Sequence, residues 1–394
     1  MKWFSWLTLL PFTLAVLFAV KIYWDKFQRT DTHRPVETVV TPFNDSFVPD
    51  GRRHIQVALL LDISGSMDGL IEQAKTQLWQ MVNELSLAKY GQETPDLEIA
   101  LYAYGGDKLD ASRGYVQQLV PLSRDLDRIS EALFALETSG GEEYCGKAIE
   151  WAVAELAWSP VPEDLRLIFI AGNEPFSQGP VLYREACAAA RQRQILVNTI
   201  FCGDYREGID SQWSDGAQAG GGQYMHIDHN QEMAQVETPF DDRIVALNDA
   251  LNKTYVAYGA SGQQRLNRQQ TQDQNAAQSG SLTTRGLAKS KRAYDNREWD
   301  LVDATRTGTV DLEKIDMRYL ADSLQGYSLS QLERFLANQR QAREHIQSEM
   351  RQLEAERKTY LRQAAQIEAE GQALDEVLVQ TIRKQAQERH YDFD

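Results

Sequence analysis

Residues 55–259 alternate near-continuous apolar runs with amphipathic stretches, and this rhythm limits the fold more than any other feature. Gln56–Asp62 (QVALLLD) and Leu165–Ala171 (LRLIFIA) read as strands buried on both faces. Ile195–Phe201 (ILVNTIF) and residues 222–227 read as further strands. Leu97–Tyr104 and Tyr115–Leu122 read as two antiparallel strands joined by a Gly-Gly-Asp loop. Helices are expected over 69–88, 125–137, 144–157, 180–193, 209–219 and 231–257. Six strands with intervening helices predict an α/β fold: a doubly wound, mostly parallel six-stranded sheet with helices on both faces. Ligands of such sheets bind at the carboxyl ends of the strands, so the residues just after each strand matter most.

The flanks have other compositions. Trp3–Val20 is uncharged and about long enough to span a bilayer, with Lys2 before it and Lys21, Lys26, Arg29 and Arg34 after it. Residues 1–24 therefore read as a membrane anchor or a cleaved signal segment. The basic cluster after the segment by itself favours a cytoplasmic body, whereas the short N-terminal flank and signal-like shape favour the periplasmic or extracellular side, which is the side expected. Residues 25–54 are expected as a linker, 260–327 as a Gln-rich tether followed by a mixed segment, and 328–394 as helix. With 41 Lys+Arg against 57 Asp+Glu the net charge is −16, which argues against general nucleic-acid binding. The three cysteines, Cys145, Cys187 and Cys202, form no CxxC pair. Cys145 and Cys202 both fall near the strand ends, where either a disulfide or two free buried thiols would fit.

The first strand ends in Asp62-Ile-Ser-Gly-Ser-Met67, a D-x-S-x-S loop. One carboxylate (Asp62) and two hydroxyls (Ser64, Ser66) on a tight loop offer hard oxygen ligands to a divalent cation and leave positions open. The bland alternative is that these side chains only cap the next helix. There is no P-loop, no GxSxG and no HExxH, and no nucleophile–base pair is legible, so an enzyme is not expected.

On these residues the chain resembles the von Willebrand factor type A (vWA) family over about 55–259. The stretches GGEEYCG, AGNEPFSQGP and FCGDY also resemble a bacterial, membrane-anchored vWA subgroup of undefined role. The resemblance implies a metal-ion-dependent adhesion site that starts with D-x-S-x-S and holds Mg²⁺, Mn²⁺ or Ca²⁺ against a carboxylate of a protein partner. In the family a Thr from a second loop and an Asp after the fourth strand complete that site. Here the Thr position falls near Glu142 or Glu143, and the Asp position falls on Gly172 beside Asn173 and Glu174. Either Glu143 and Asn173 or Glu174 supply replacement oxygens, or the site is degraded.

Weaker signals are Asp204 after the fifth strand, His226 and His229 around Asp228, and an EF-hand-like run, Asp303–Lys314. That run has Lys314 where a bidentate Glu is needed, so it reads as a turn around Gly308. In the C-terminal region Leu332, Ile346, Leu353, Tyr360, Ile367 and Leu374 share one heptad position, and Leu336, Met350, Ala364 and Leu378 another. Gln339, Arg343, Arg357 and Gly371 interrupt them. The pattern predicts a coiled coil or an antiparallel helical hairpin, with one long helix folded back on the body as the alternative. The function expected is a membrane-anchored protein-binding module with a metal adhesion site, self-associating through its C-terminal helices. The alternative is a metal-free scaffold acting through the vWA fold and the coiled coil.

Overall fold

The first strand, β1 (His54–Asp62), is buried along all nine residues because helices cover both its faces. Ile55, Val57, Leu59 and Leu61 point into one core, Ala58 and Leu60 into the other, as the two-residue period of a strand requires. The computed structural model describes residue 44 and residues 46–227, 237–367 and 374–393. The proposed anchor, most of the first linker, and Asp228, His229 and Gly371 lie outside the described residues, as do the side chains of Ile367 and Leu374. No helix among the described residues is long and apolar enough to cross a membrane.

After β1 come α1 (Asp68–Leu85), the short β2 (Ala88–Lys89), β3 (Asp96–Tyr104), β4 (Val116–Ser123), α2 (Leu126–Phe134) and α3 (Cys145–Glu155). Next are β5 (Leu165–Gly172), α4 (Tyr183–Gln192), β6 (Leu196–Cys202), α5 (Tyr205–Asp210), α6 (Trp213–Ala219) and β7 (Gly221–Ile227). The order across the main sheet is β4-β3-β1-β5-β6-β7. Only β4 runs antiparallel to its neighbour. This is the six-stranded, mostly parallel sheet that the sequence predicts. The core on one face holds α1 and α2, and the core on the other holds α3, α4 and Trp213. The expected single helix over 209–219 is two short ones, α5 and α6. Gln212 separates them in the left-handed conformation, with φ of 74°.

The remaining elements are α7 (Asp241–Asn252), α8 (Gly262–Gln278), α9 (Leu282–Lys289), α10 (Leu301–Arg306), α11 (Asp322–Gln325), α12 (Leu329–Ile367), α13 (Leu374–Gln387) and β8 (Asp392–Phe393). The Gln-rich stretch expected as a flexible tether is mostly α8, packed on the domain. Its glutamines are partly interior: Gln269 donates to Asn252 at 2.8 Å, and Ser130 of α2 donates to Gln272 at 2.9 Å. Such bonds satisfy buried amides that composition alone reads as solvated.

A buried ion cluster fastens these helices to the sheet domain. Arg285 of α9 is fully buried, 2.8 Å from Asp127 of α2 and 2.7 Å from Asp273 of α8. Its guanidinium lies over the Trp79 ring of α1, 4.6 Å from the centroid. Lys289 reaches Asp273 at 2.8 Å, and these two cations hold the Asp273 carboxyl well below the usual range despite its burial.

The heptad seam is buried within the chain: Leu332 and Leu336 join a small core with Leu301, Val302 and Leu320, while Met350 and Leu378 join the main core. Two residues that interrupt the seam are docking points. Arg343 pairs with Asp300 at 2.6 Å and Asp303 at 2.9 Å, and Arg357 pairs with Asp241 at 2.7 Å. The long helix therefore folds back on the body, the alternative reading, instead of exposing a coiled-coil face. Among the described residues, α13 packs on α1 and β7. The EF-hand-like run is a helix end and turn, with Gly308 at φ of 70° and Asp303 held by Arg343.

Candidate metal-edge site

Asp62 closes β1 between Tyr104 at the end of β3 and Ala171–Gly172 at the end of β5. The loop that follows is fixed by backbone bonds on two sides: Ile63 N–H donates to Tyr104 O at 2.8 Å, and Ser139 N–H donates to Ile63 O at 2.8 Å. Ser64 N–H donates to Asp62 Oδ1 at 2.7 Å. The Ser64 and Ser66 hydroxyl oxygens are 3.2 Å apart, and Asn173 Nδ2 donates to Ser66 Oγ at 2.9 Å. Asp62, Ser64, Ser66 and Asn173 thus converge on one edge.

Glu143 comes to the same edge from the second loop. Gly105 has φ of +84°, and a Cβ there would lie 2.6 Å from Asp62 Oδ1 and 3.0 Å from Glu143 Cγ. Both acidic side chains therefore press on this one glycine. The second loop sits so close that a Cβ on Gly141 would lie 2.2 Å from Gly105 O. With its amide nitrogen turned inward, Gln178 donates to Glu143 Oε2 at 3.3 Å and to Glu143 O at 3.2 Å. Glu142 is exposed, so of the two candidate glutamates the buried one is Glu143. Glu174 is half-buried on the rim, where its carbonyl accepts from Trp213 Nε1 at 2.8 Å.

Gly172, the expected carboxylate position, has no room for a side chain. A Cβ there would be 2.5 Å from Tyr104 Oη and 3.0 Å from Asp62 Oδ2. Tyr104 takes the space, its hydroxyl donating to Ala171 O at 2.9 Å. Gly105, Tyr104 and Gln178 were not singled out in the sequence. The Gly105-Gly106 pair was the only available signal.

Burial pushes the Asp62 carboxyl up to about 7 against the pull of the Ser64 hydrogen bonds, and the Glu143 and Glu174 charges add to the rise. Burial also raises Glu143, with Glu174 and Glu142 adding to it. Asp62 is fully buried, and its Oδ2 has no hydrogen-bond partner. A buried carboxylate oxygen without a partner is costly. Hard oxygens and excess negative charge suit a divalent cation, so these residues fit one. Among the described residues no three His, Cys, Asp or Glu side chains cluster to hold a metal, so serine hydroxyls would have to take part.

Two weaker candidates, Asp204 and His226, are engaged elsewhere. The Asp204 carboxylate caps α5, accepting from Arg206 N at 2.8 Å. His226 is exposed and stacks edge-on to Tyr205. All three cysteines are free, buried thiols, so the Cys145–Cys202 disulfide alternative is not what the structure holds.

This edge lies at the carboxyl ends of β1 and β5 in a doubly wound α/β sheet. The von Willebrand factor type A domain model matches residues 56–212, and the chain carries a vWA domain there. Similar solved structures include BatB of Bacteroides thetaiotaomicron, at 18% identity over 44% of this chain and 90% of that one, with a TM-score of 0.34. The SpRpn10 VWA domain is similar at 15% identity over 45% and 90%, with a TM-score of 0.33. Proximal thread matrix protein 1 of the mussel byssus, described with a zinc-occupied MIDAS motif, is similar at 16% identity over 47% and 44%, with a TM-score of 0.31. No curated protein matches the chain.

Proposed function

We propose that this protein is a membrane-anchored protein-binding module whose vWA domain docks a partner through a divalent cation. The observation that carries this is the buried, partnerless Asp62 Oδ2 beside Glu143. Ser64 and Ser66 would give hydroxyl oxygens to the ion, and Asp62 would balance its charge. Glu143 stands in for the missing Thr, while Asn173 and Glu174 line the rim. A bound Mg²⁺, Mn²⁺ or Ca²⁺ supplies a Lewis-acidic centre that accepts an oxygen of the partner. The chain's own residues orient the ion: Ser64 N–H holds Asp62, Gln178 holds Glu143, and Asn173 holds Ser66. The role proposed for this edge is binding.

The test is a pull-down of the full-length, membrane-solubilised protein in Mg²⁺ and in chelator, with wild type beside Asp62→Ala. Metal-dependent capture that the variant loses supports the reading. A second reading, a metal-free scaffold, is favoured by the closed Gly172 position. It predicts the same captured proteins in Mg²⁺ and in chelator. Trp3–Val20 would anchor the chain with the body on the periplasmic or extracellular side, which protease protection in intact cells and spheroplasts tests.

A further inference from the structure

We infer that the partner docking on this edge presents a neutral oxygen, from an amide or a hydroxyl, beside an arginine side chain, and not the carboxylate that the family resemblance implies. The inference rests on the divalent-cation reading above and concerns what the ion, once held, accepts. Asp62 is fully buried with Oδ2 unpartnered, and Glu143 presses on the same glycine. These two carboxylates already match the charge of one divalent ion. Glu142, exposed, and Glu174, half-buried, then remain. Glu174 follows Asn173, whose Nδ2 is 2.9 Å from Ser66 Oγ, and Glu142 precedes Glu143. The Glu174 charge acts on both Asp62 and Glu143, and the Glu142 charge on Glu143. The loaded edge therefore stays negative.

The cations on the elements around this edge are committed to carboxylates of their own. Arg113, between β3 and β4, pairs with Glu155 at 2.7 Å, Lys147 of α3 with Glu150 at 2.6 Å, and Arg184 of α4 with Asp215 at 2.9 Å. Lys108 lies 3.8 Å from Glu137, and Arg206 of α5 lies beside Asp204. A partner carboxylate would meet like charge here, which selects against that partner. A neutral oxygen carries no such penalty, and carbonyl oxygens are ordinary ligands of hard divalent ions. The edge also offers a seat for a cation. Tyr144, half-buried, follows Glu143, and its hydroxyl lies beside the Glu142 carboxylate. Its ring stands edge-on to Tyr115, with centroids 6.0 Å apart. Gly179 makes room for that ring: at φ of +96°, a Cβ there would lie 2.6 Å from it. A fixed aromatic ring beside carboxylates suits a guanidinium, whose planar fork pairs with carboxylates and stacks on aromatic rings.

The experiment loads the full-length, membrane-solubilised protein with Mn²⁺ and reads by NMR the paramagnetic broadening of a probe's methyl signal. The probes are acetate, acetamide, N-acetylalaninamide and N-acetylargininamide. Electron paramagnetic resonance of free Mn²⁺ measures the loading of each sample. Free Mn²⁺ favours acetate over acetamide by simple charge attraction, so the expected result is a reversal of that order on the loaded protein. The arginine probe should reach the same broadening at about a fivefold lower concentration than the alanine probe, the gain from one charge pair about 4 Å apart in water. A chain bearing both Glu142→Gln and Glu174→Gln, compared at equal loading, should favour acetate again and lose the arginine gain. Failure of Mn²⁺ to load wild type overturns the divalent-cation reading and this one with it. Loading with acetate broadened more than acetamide, or with the arginine and alanine probes alike, overturns this inference alone. So does a double variant that keeps the wild-type order.

Discussion

Replacing Asp62 with Asn removes the buried charge and keeps the side-chain oxygen that accepts from Ser64 N–H. Burial raises the Asp62 carboxyl from 3.8 to about 7 in the folded chain. A shift of about three units corresponds to about 4 kcal/mol. In the unfolded chain the carboxyl ionises near its ordinary value, so between about pH 4 and pH 7 the folded state holds a proton that the unfolded state has lost. Stability from this group is therefore present below pH 4 and lost as pH rises through 7. At pH 8 the metal-free wild type bears the full cost. The neutral amide of Asn returns about 1–3 kcal/mol of that gain if its NH₂ stays unpaired, so the net stabilisation is about 1–3 kcal/mol. In chelator, urea unfolding followed by circular dichroism should show Asp62→Asn more stable than wild type at pH 8 and less stable near pH 4, where the charge cost is gone and only the cost of the unpaired amide remains. Saturating Mg²⁺ should reverse the order, because an ion at a thousand times its Kd adds about 4.1 kcal/mol to wild type alone. A variant less stable than wild type at pH 8 in chelator, or a difference that does not change with pH, refutes the reasoning.

Arg285→Met should destabilise the protein by about 3–5 kcal/mol, read by thermal unfolding, because it leaves Asp127 and Asp273 buried without that cation. Gly172→Asp restores the family carboxylate in sequence but collides with Tyr104 Oη. It should lower the urea midpoint by the equivalent of about 1–3 kcal/mol and fail to tighten Mn²⁺ binding. Glu143→Gln removes a like charge beside Asp62, so the Asp62 carboxyl should titrate lower by NMR while Mn²⁺ affinity, read by water-proton relaxation, weakens about tenfold.

The sheet was legible because β1, β5 and β6 are covered on both faces, and a strand in that position must be apolar nearly throughout. The D-x-S-x-S loop was legible because its carboxylate and two hydroxyls are contiguous in the chain. Tyr104 and Gly105 were not, since their role depends on β3 lying beside β1, and that adjacency fixes what Gly172 can be. The reading of α8 failed because polar composition does not report whether an amide is buried against a partner, as Gln269 and Gln272 are. Arg343 and Arg357 looked like faults in a seam. They are cations set opposite Asp300, Asp303 and Asp241, carboxylates 40 to 116 residues away in the chain. The pairing of β2 with β8 joins segments about three hundred residues apart and leaves no local trace.

The most direct measurement is a calorimetric titration of the full-length protein with Mg²⁺ and Mn²⁺, with wild type beside Asp62→Ala. The account predicts one saturable site in wild type and none in the variant. No binding to wild type, or the same binding in both, would contradict it.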